Sequence, residues 1–273
     1  MDGRLAGTEA ALGDSFGVRL HAVLSPIAHG GTCLSLRVLR PATQGLDALA
    51  AAGAVPPDAK VLLERIIRAR LAFLVVGGTG AGKTTLLSGL LAKVASTERI
   101  VCVEAAAELA PPHPHVVRLV ARPANVEGAG QITVRDLVRQ ALRMRPDRIV
   151  VGEVRGAEVV DLLTALNTGH DGGAGTVHAN SPGEVPARLE ALAALGGMPA
   201  AALHSQLAAA IQVVLHVHRQ PDGRRTLREI GMVAPVDGRV HITPAWTADG
   251  RPAPAAPALV NLLDRRIPDD SLE

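Results

Sequence analysis

The chain is predicted to be an α/β protein built on a mostly parallel sheet, and three observations predict it. Short apolar runs alternate with helical stretches from residue 71 to residue 217, the order expected of a sheet covered on both faces. A glycine loop joins the first of these runs to a helix at residues 77–84, GGTGAGKT. The hydrophobic fraction of 48% over 273 residues supplies a substantial core.

Residues 17–24 and 33–39 are two alternating runs separated by a Pro- and Gly-containing turn, which predicts strands of a small first sheet. Residues 41–57, rich in Ala, Gly and Pro, read as a linker with one short helix. An amphipathic helix over 58–68, capped by Asp58, opens the main domain. Strands then follow at 71–76, 99–104, 116–120, 148–152, 175–178 and 211–217. Helices are expected from Lys83 and over 133–144, 157–167, 184–195 and 200–210. Pro221-Asp-Gly-Arg224 predicts a hairpin turn, and residues 244–257 read as a linker to a charged tail. The expected domains are therefore a partial N-terminal α+β domain and linker (1–57), an α/β domain (58–235) and a C-terminal tail (236–273).

Several function classes are disfavoured by composition. Aromatic residues make up 1% of the chain, leaving almost no material for stacking nucleic-acid bases, and a net charge of +2 gives no strong general attraction to DNA or anionic lipid. No stretch reaches the roughly 18 apolar residues a membrane span requires, and no basic-then-apolar leader opens the chain, so a cytoplasmic protein is expected. Cys33 and Cys102 lie in apolar runs without a CxxC neighbour and read as buried thiols of a reducing compartment.

The glycine loop is the complete G-x-x-x-x-G-K-[ST] motif in its strand-to-helix context, which predicts binding of ATP or GTP with magnesium. Gly77, Gly80 and Gly82 let the backbone curl until successive N–H groups and the positive end of the helix surround a phosphate. Lys83 adds a point charge, and the Thr84 hydroxyl serves the metal ion. Gly78, Thr79, Ala81 and Thr85 complete the candidate nucleotide-binding set. Glu153, at the end of the apolar run from Arg148, is the candidate for holding magnesium through water or orienting the attacking water. His178, delivered to the same sheet edge by the run before it, is a candidate sensor of the γ-phosphate, with plain loop histidines as the alternative for both His170 and His178. No set of residues at zinc-ligand spacing stands out. Arg135, Arg139 and Arg143 fall at four-residue spacing and form one basic stripe, either a solvated face or a surface for an acidic neighbour.

Taken in order, these segments resemble the type II/type IV secretion ATPase superfamily, in particular the branch serving tight-adherence pili and conjugal transfer. The motifs carrying the resemblance are GGTGAGKTTLL from Gly77, ERIVCVEAAAEL from Glu98, HVVRL from His115, the run from Ala121 to Gly156, and TGHDGGAGTVHANSP from Thr168. The resemblance implies a RecA-like ATPase domain joined to an N-terminal domain, with ATP and Mg2+ held between them and the subunits arranged as a homo-hexamer. It further implies a cytoplasmic motor acting through inner-membrane platform proteins of a pilus or secretion system. By position it assigns Glu104 as catalytic carboxylate, Glu153 to the second nucleotide motif, His170 and His178 to a histidine box, Arg118 and Arg122 to the γ-phosphate, and Arg37 to a strand facing nucleotide. Two departures stand out: Ala105 and Ala106 replace the Asp and Thr that usually follow Glu104, which implies slow turnover if the missing acid holds metal or water. The N-terminal domain is also shorter than in the family, which implies either a start placed too far downstream or a reduced first domain. A DNA-translocating motor and a nucleotide-binding subunit with little turnover are the alternative functions.

Overall fold

The computed structural model describes residues 2–6, 17–38, 41–125 and 127–267, and the chain divides into two compact units between Ala42 and Thr43. The first unit is an antiparallel sheet of β1 (Asp2–Ala6), β2 (Gly17–Val23) and β3 (Cys33–Val38), in that order. The register pairs Arg19 with Arg37 and Leu20 with Leu36. β1 has no sequence counterpart among the expected strands: five residues, DGRLA, with one glycine carry too little alternation to announce a strand. Every residue of β3 is exposed, including Cys33, contrary to the buried thiol expected there.

The second unit runs through α1 (Leu46–Ala51), α2 (Pro57–Arg68), β4 (Phe73–Val76), α3 (Lys83–Leu91), β5 (Ile100–Glu104), β6 (Val116–Val120), α4 (Val134–Ala141), β7 (Arg148–Val154), α5 (Glu158–Leu166), β8 (Ala174–Val177), α6 (Val185–Leu195), α7 (Ala200–Ala210), β9 (Val213–Arg219), β10 (Arg225–Val236), β11 (Arg239–Thr247) and α8 (Ala256–Arg266). Its eight strands lie in the order β11-β10-β9-β4-β8-β7-β5-β6. The six from β9 to β6 are parallel, and β10 and β11 continue the sheet antiparallel.

Alternation along β4 shows how the two faces fill. Phe73 and Val75 point into a core shared with α1, α2, α3 and α8, while Leu74 and Val76 point into one shared with α4, α5, α6 and α7. Both faces are covered, so the strand is apolar at every position and reads as an unbroken run. The thiol of Cys102 on β5 lies in the first core, and burial pushes it up to about 12.

Helix ends follow local chemistry. α4 starts with a capping box: Thr133 accepts from the Asp136 N–H, and the Asp136 carboxylate accepts from the Thr133 N–H. α2 starts one residue earlier than predicted, with Pro57 inside its first turn, where a missing N–H costs nothing. Asp58 is therefore a first-turn acid and not a cap, and it accepts a hydrogen bond from Trp246 Nε1 at 2.6 Å.

Three organisational expectations change. Residues 43–57 are not a linker: Leu46, Leu49 and Val55 are buried in the core, and the Leu49 side chain lies 2.9 Å from where a Cβ on Gly89 of α3 would stand. Residues 236–267 are not a tail, because β11 pairs along β10 and α8 buries Leu259 and Leu263, tied further by an Arg65–Asp264 ion pair. The basic stripe of α4 is partly answered within the chain, since Arg135 and Arg139 both bond to Asp161 of α5, at 2.6 and 2.7 Å.

At the amino ends of the parallel strands, Arg148 is almost fully buried. Its Nε and Nη2 bond to Glu98, Nη2 also donates to the Ile67 carbonyl, and Arg70 shares the same carboxylate at 2.6 Å. A guanidinium taken out of water survives there because its donors have acceptors.

Candidate nucleotide site

In an open parallel sheet ligands bind beyond the carboxyl ends of the strands, and the chemistry-bearing residues collect at that edge. The loop after β4 carries Gly77 to Gly82, and α3 begins at Lys83. Gly82, at φ 99°, holds the left-handed conformation that turns the chain into the helix. A Cβ on Gly77 would stand 2.3 Å from the Val217 carbonyl oxygen of β9, so only glycine lets the loop leave the sheet there.

Lys83 is buried inside this loop, its Nζ donating to the Gly77 and Gly78 carbonyls at 3.0 and 3.1 Å and to His178 Nδ1 at 3.3 Å. Because Nδ1 accepts from an ammonium, the His178 proton sits on Nε2, which faces Thr79 Oγ1 at 3.3 Å. Burial, followed by the Lys83 charge, holds the imidazole below its ordinary range and so neutral. Burial likewise lowers the Lys83 ammonium, and Glu153 opposes the shift most strongly, followed by Glu108. Thr84 and Thr85 lie half-buried in the first turn of α3.

Glu153 extends from β7, two strands from the loop, and its Oε2 accepts from Arg155 Nη2 at 2.5 Å. Glu158 fixes the turn that follows by accepting from the Arg155 and Gly156 N–H groups. A carboxylate and the Thr84 hydroxyl are hard oxygen donors, the kind of set that suits Mg2+ with water completing its shell.

Glu104 ends β5, and its recorded contacts are with the turn that follows it and with the neighbouring strand. Its carboxylate packs on Gly152 of β7, where a Cβ would come within 2.7 Å of Glu104 Cγ. Oε1 accepts from the Glu108 and Leu109 N–H groups at 3.1 and 2.9 Å, and Oε2 is buried without a hydrogen-bond partner among the described residues. Burial pushes this carboxyl up to about 7, against the two N–H donors. The group expected to do chemistry thus faces inward and pins the turn bearing Glu108, whose charge does act on Lys83.

Other expected site residues are not brought to the loop. β8 runs parallel to β4 with Ala174 beside Phe73 and Val177 beside Val76, so His178 follows its carboxyl end and His170 precedes its amino end. His170 therefore belongs to the opposite edge of the sheet, its Nδ1 beside the Ala165 carbonyl at 3.1 Å. Arg118, on β6, is four strand spacings from β4, ~19 Å across a sheet. Its Nη1 donates to Leu109 O, while Arg122, beyond the same strand, donates from Nε to Gly130 O at 2.8 Å. Arg37 lies exposed on β3 of the first unit.

Two basic residues that the sequence reading passed over do reach the loop. Arg225, opening β10, donates from Nε to Gly80 O at 2.9 Å, and Arg219, its register partner on β9, places Nη1 3.8 Å from the position of a Cβ on Gly80. PDGRR announced a hairpin, but only the order β9-β4-β8 puts that hairpin beside the loop. Next to it opens a cavity of about 290 Å3, lined among others by Gln44, Leu49, Thr85, Leu86, Val217 and Leu227.

Strand, loop, buried lysine and helix in this order, on a sheet with helices on both faces, define a P-loop nucleotide-binding protein of RecA-like architecture. The chain belongs to the type II/IV secretion system protein family, whose model matches residues 3–241. It is 68% identical over 266 residues to a putative conjugal transfer protein of Mycobacterium tuberculosis (strain CDC 1551 / Oshkosh), covering 97% of this chain and 75% of that one. It is 31% identical to the type IV secretion system protein PtlH of Bordetella pertussis (strain Tohama I), over 87% of this chain and 74% of that one. Among solved structures it is similar to the VirB11 ATPase of the Brucella suis type IV secretion system, with TM-score 0.56, 25% identity and coverage of 80% and 71%. The pilus retraction motor PilT with bound ADP shares the fold, at TM-score 0.60 and 21% identity, over 98% of this chain and 67% of that one.

Proposed function

We propose that this chain is an ATP-hydrolysing motor subunit of a secretion, conjugation or pilus apparatus, cytoplasmic and self-associating, its net charge of +2 arguing against nucleic acid as its track. The observation that supports it most is Lys83 held inside the glycine loop with a neutral His178 against it. The names of the relatives supply the process, and the hexamer and the inner-membrane platform partners belong to this reading. Among the described residues no helix is long and apolar enough to cross a membrane, so partners would provide membrane contact.

In this reading the triphosphate takes over the Lys83 ammonium from the Gly77 and Gly78 carbonyls. The amides from Gly78 to Gly82 converge on the phosphates, and the cavity beside Thr85 takes the nucleoside. Thr84 and Glu153 would hold Mg2+, which supplies charge neutralisation on the phosphate oxygens. Glu153 and Glu108 orient water, the latter from the turn that Glu104 pins. His178 links Lys83 to Thr79, so loss of the γ-phosphate reaches the loop following β8 through one ring.

Purified protein with Mg2+ and ATP should release phosphate, and Lys83→Ala should remove at least about 99% of that activity, as loss of a phosphate-binding charge predicts. Equal rates for the two proteins would reject the assignment. A nucleotide-binding subunit with little turnover is favoured by one observation, the inward-facing Glu104 followed by Ala105. Tight ATP binding without phosphate release, with turnover gained in Ala105→Asp, would select it.

A further inference from the structure

The β9–β10 hairpin flanks the glycine loop on the side away from β8, and among the described residues one side-chain hydrogen bond ties it to the loop. Arg225 Nε donates to Gly80 O at 2.9 Å, while its stem lies against Gly82, with Cδ 3.1 Å from where a Cβ would stand there. Arg225 is exposed and forms no ion pair among the described residues, so no carboxylate competes for it. Its position in the register opposite Arg219 places it at the turn end of the hairpin.

In a trans peptide the carbonyl and the following N–H point in opposite directions. Holding Gly80 O outward therefore aims the Ala81 N–H inward. That N–H makes only a long bond, 3.3 Å, to Gly78 O, which Lys83 Nζ also approaches at 3.1 Å. Gly80 sits at φ 70°, and with no side chain nothing in its own covalent structure would keep this peptide plane from rotating.

We propose that Arg225 is a positioning residue for phosphate binding: its bond to Gly80 O fixes the peptide plane that presents the Ala81 N–H to a bound phosphate. This rests on the nucleotide reading above and adds to it a residue contributed by a remote hairpin. The residue acts through the loop backbone and does not itself need to touch the nucleotide.

Two substitutions separate the bond from the charge and from the packing. Gln places its amide nitrogen at the same distance along the side chain as Arg Nε, so Arg225→Gln keeps a donor and loses the charge. Met keeps the length and the stem against Gly82 but has no donor. Fluorescence titration with MgADP and, separately, with pyrophosphate provides the readout. Arg225→Met should weaken both probes about tenfold, the effect of losing one charge-assisted hydrogen bond, and Arg225→Gln should stay within about threefold of wild type. Equal weakening by both variants would make charge the cause and overturn the positioning role. Loss confined to MgADP would place Arg225 on the nucleoside and overturn it too, as would unchanged binding in Arg225→Met. Wild type that binds neither probe would instead strike down the nucleotide reading itself.

Discussion

Glu104 shows how environment sets what a carboxyl can do. Burial raises it to about 7 in the folded chain, against an ordinary value of 4.5 in the unfolded one. The folded state therefore holds the proton more tightly, and the group costs no stability below about pH 4.5. Its penalty grows between pH 4.5 and 7 and is complete above, reaching about 3 kcal/mol as an upper bound. Glu104→Gln keeps an acceptor for the Glu108 and Leu109 N–H groups and cannot ionise. Its melting temperature relative to wild type should rise between pH 5 and pH 8; a difference that is flat with pH would show that Glu104 ionises freely. The sequence placed this residue at the end of the right strand, but the 2.7 Å approach to Gly152 that turns it inward depends on β7 lying beside β5, which no local pattern states. Lys83 was legible because its motif specifies its own backbone. Arg225 was not, because its function comes from a neighbour 145 positions away in the chain.

Among the elements, the parallel strands and their helices were readable where burial leaves a continuous apolar run, as in β4, or an apolar spacing, as Ala59, Leu63, Ile66 and Ile67 give α2. The errors fall where polar or Pro-rich composition hides packing. α8 follows a Pro- and Ala-rich stretch and looked like a tail, yet Leu259 and Leu263, one helical turn apart, close the first core. The same limit applies to the Glu98–Arg148–Arg70 cluster, which joins the start of β7 to the end of α2 through charges that look like surface residues in the sequence. Glu98→Ala would leave the Arg148 guanidinium buried without its carboxylate and should cost about 3–5 kcal/mol in urea unfolding. A loss below about 1 kcal/mol would mean that water reaches Arg148 and that the cluster does not stabilise the strand edge.

At the scale of the molecule, one sheet edge gathers groups from six strand ends, and strand order decides which of them can work together. β8 beside β4 gives His178 to Lys83, the β9–β10 hairpin on the other flank brings Arg225 to Gly80, and β7 carries Glu153 two strands away. Arg118 and Arg122 stay at the far edge, bonded to the Leu109 and Gly130 carbonyls and away from the glycine loop. The most direct test of the central claim, that this loop grips a nucleotide's phosphates, is the thermal unfolding of wild type and Lys83→Ala with and without MgADP. Ligand at a hundred times its Kd should stabilise wild type by about 2.7 kcal/mol and leave Lys83→Ala nearly unchanged. Equal stabilisation of both proteins, or of neither at millimolar MgADP, would contradict it.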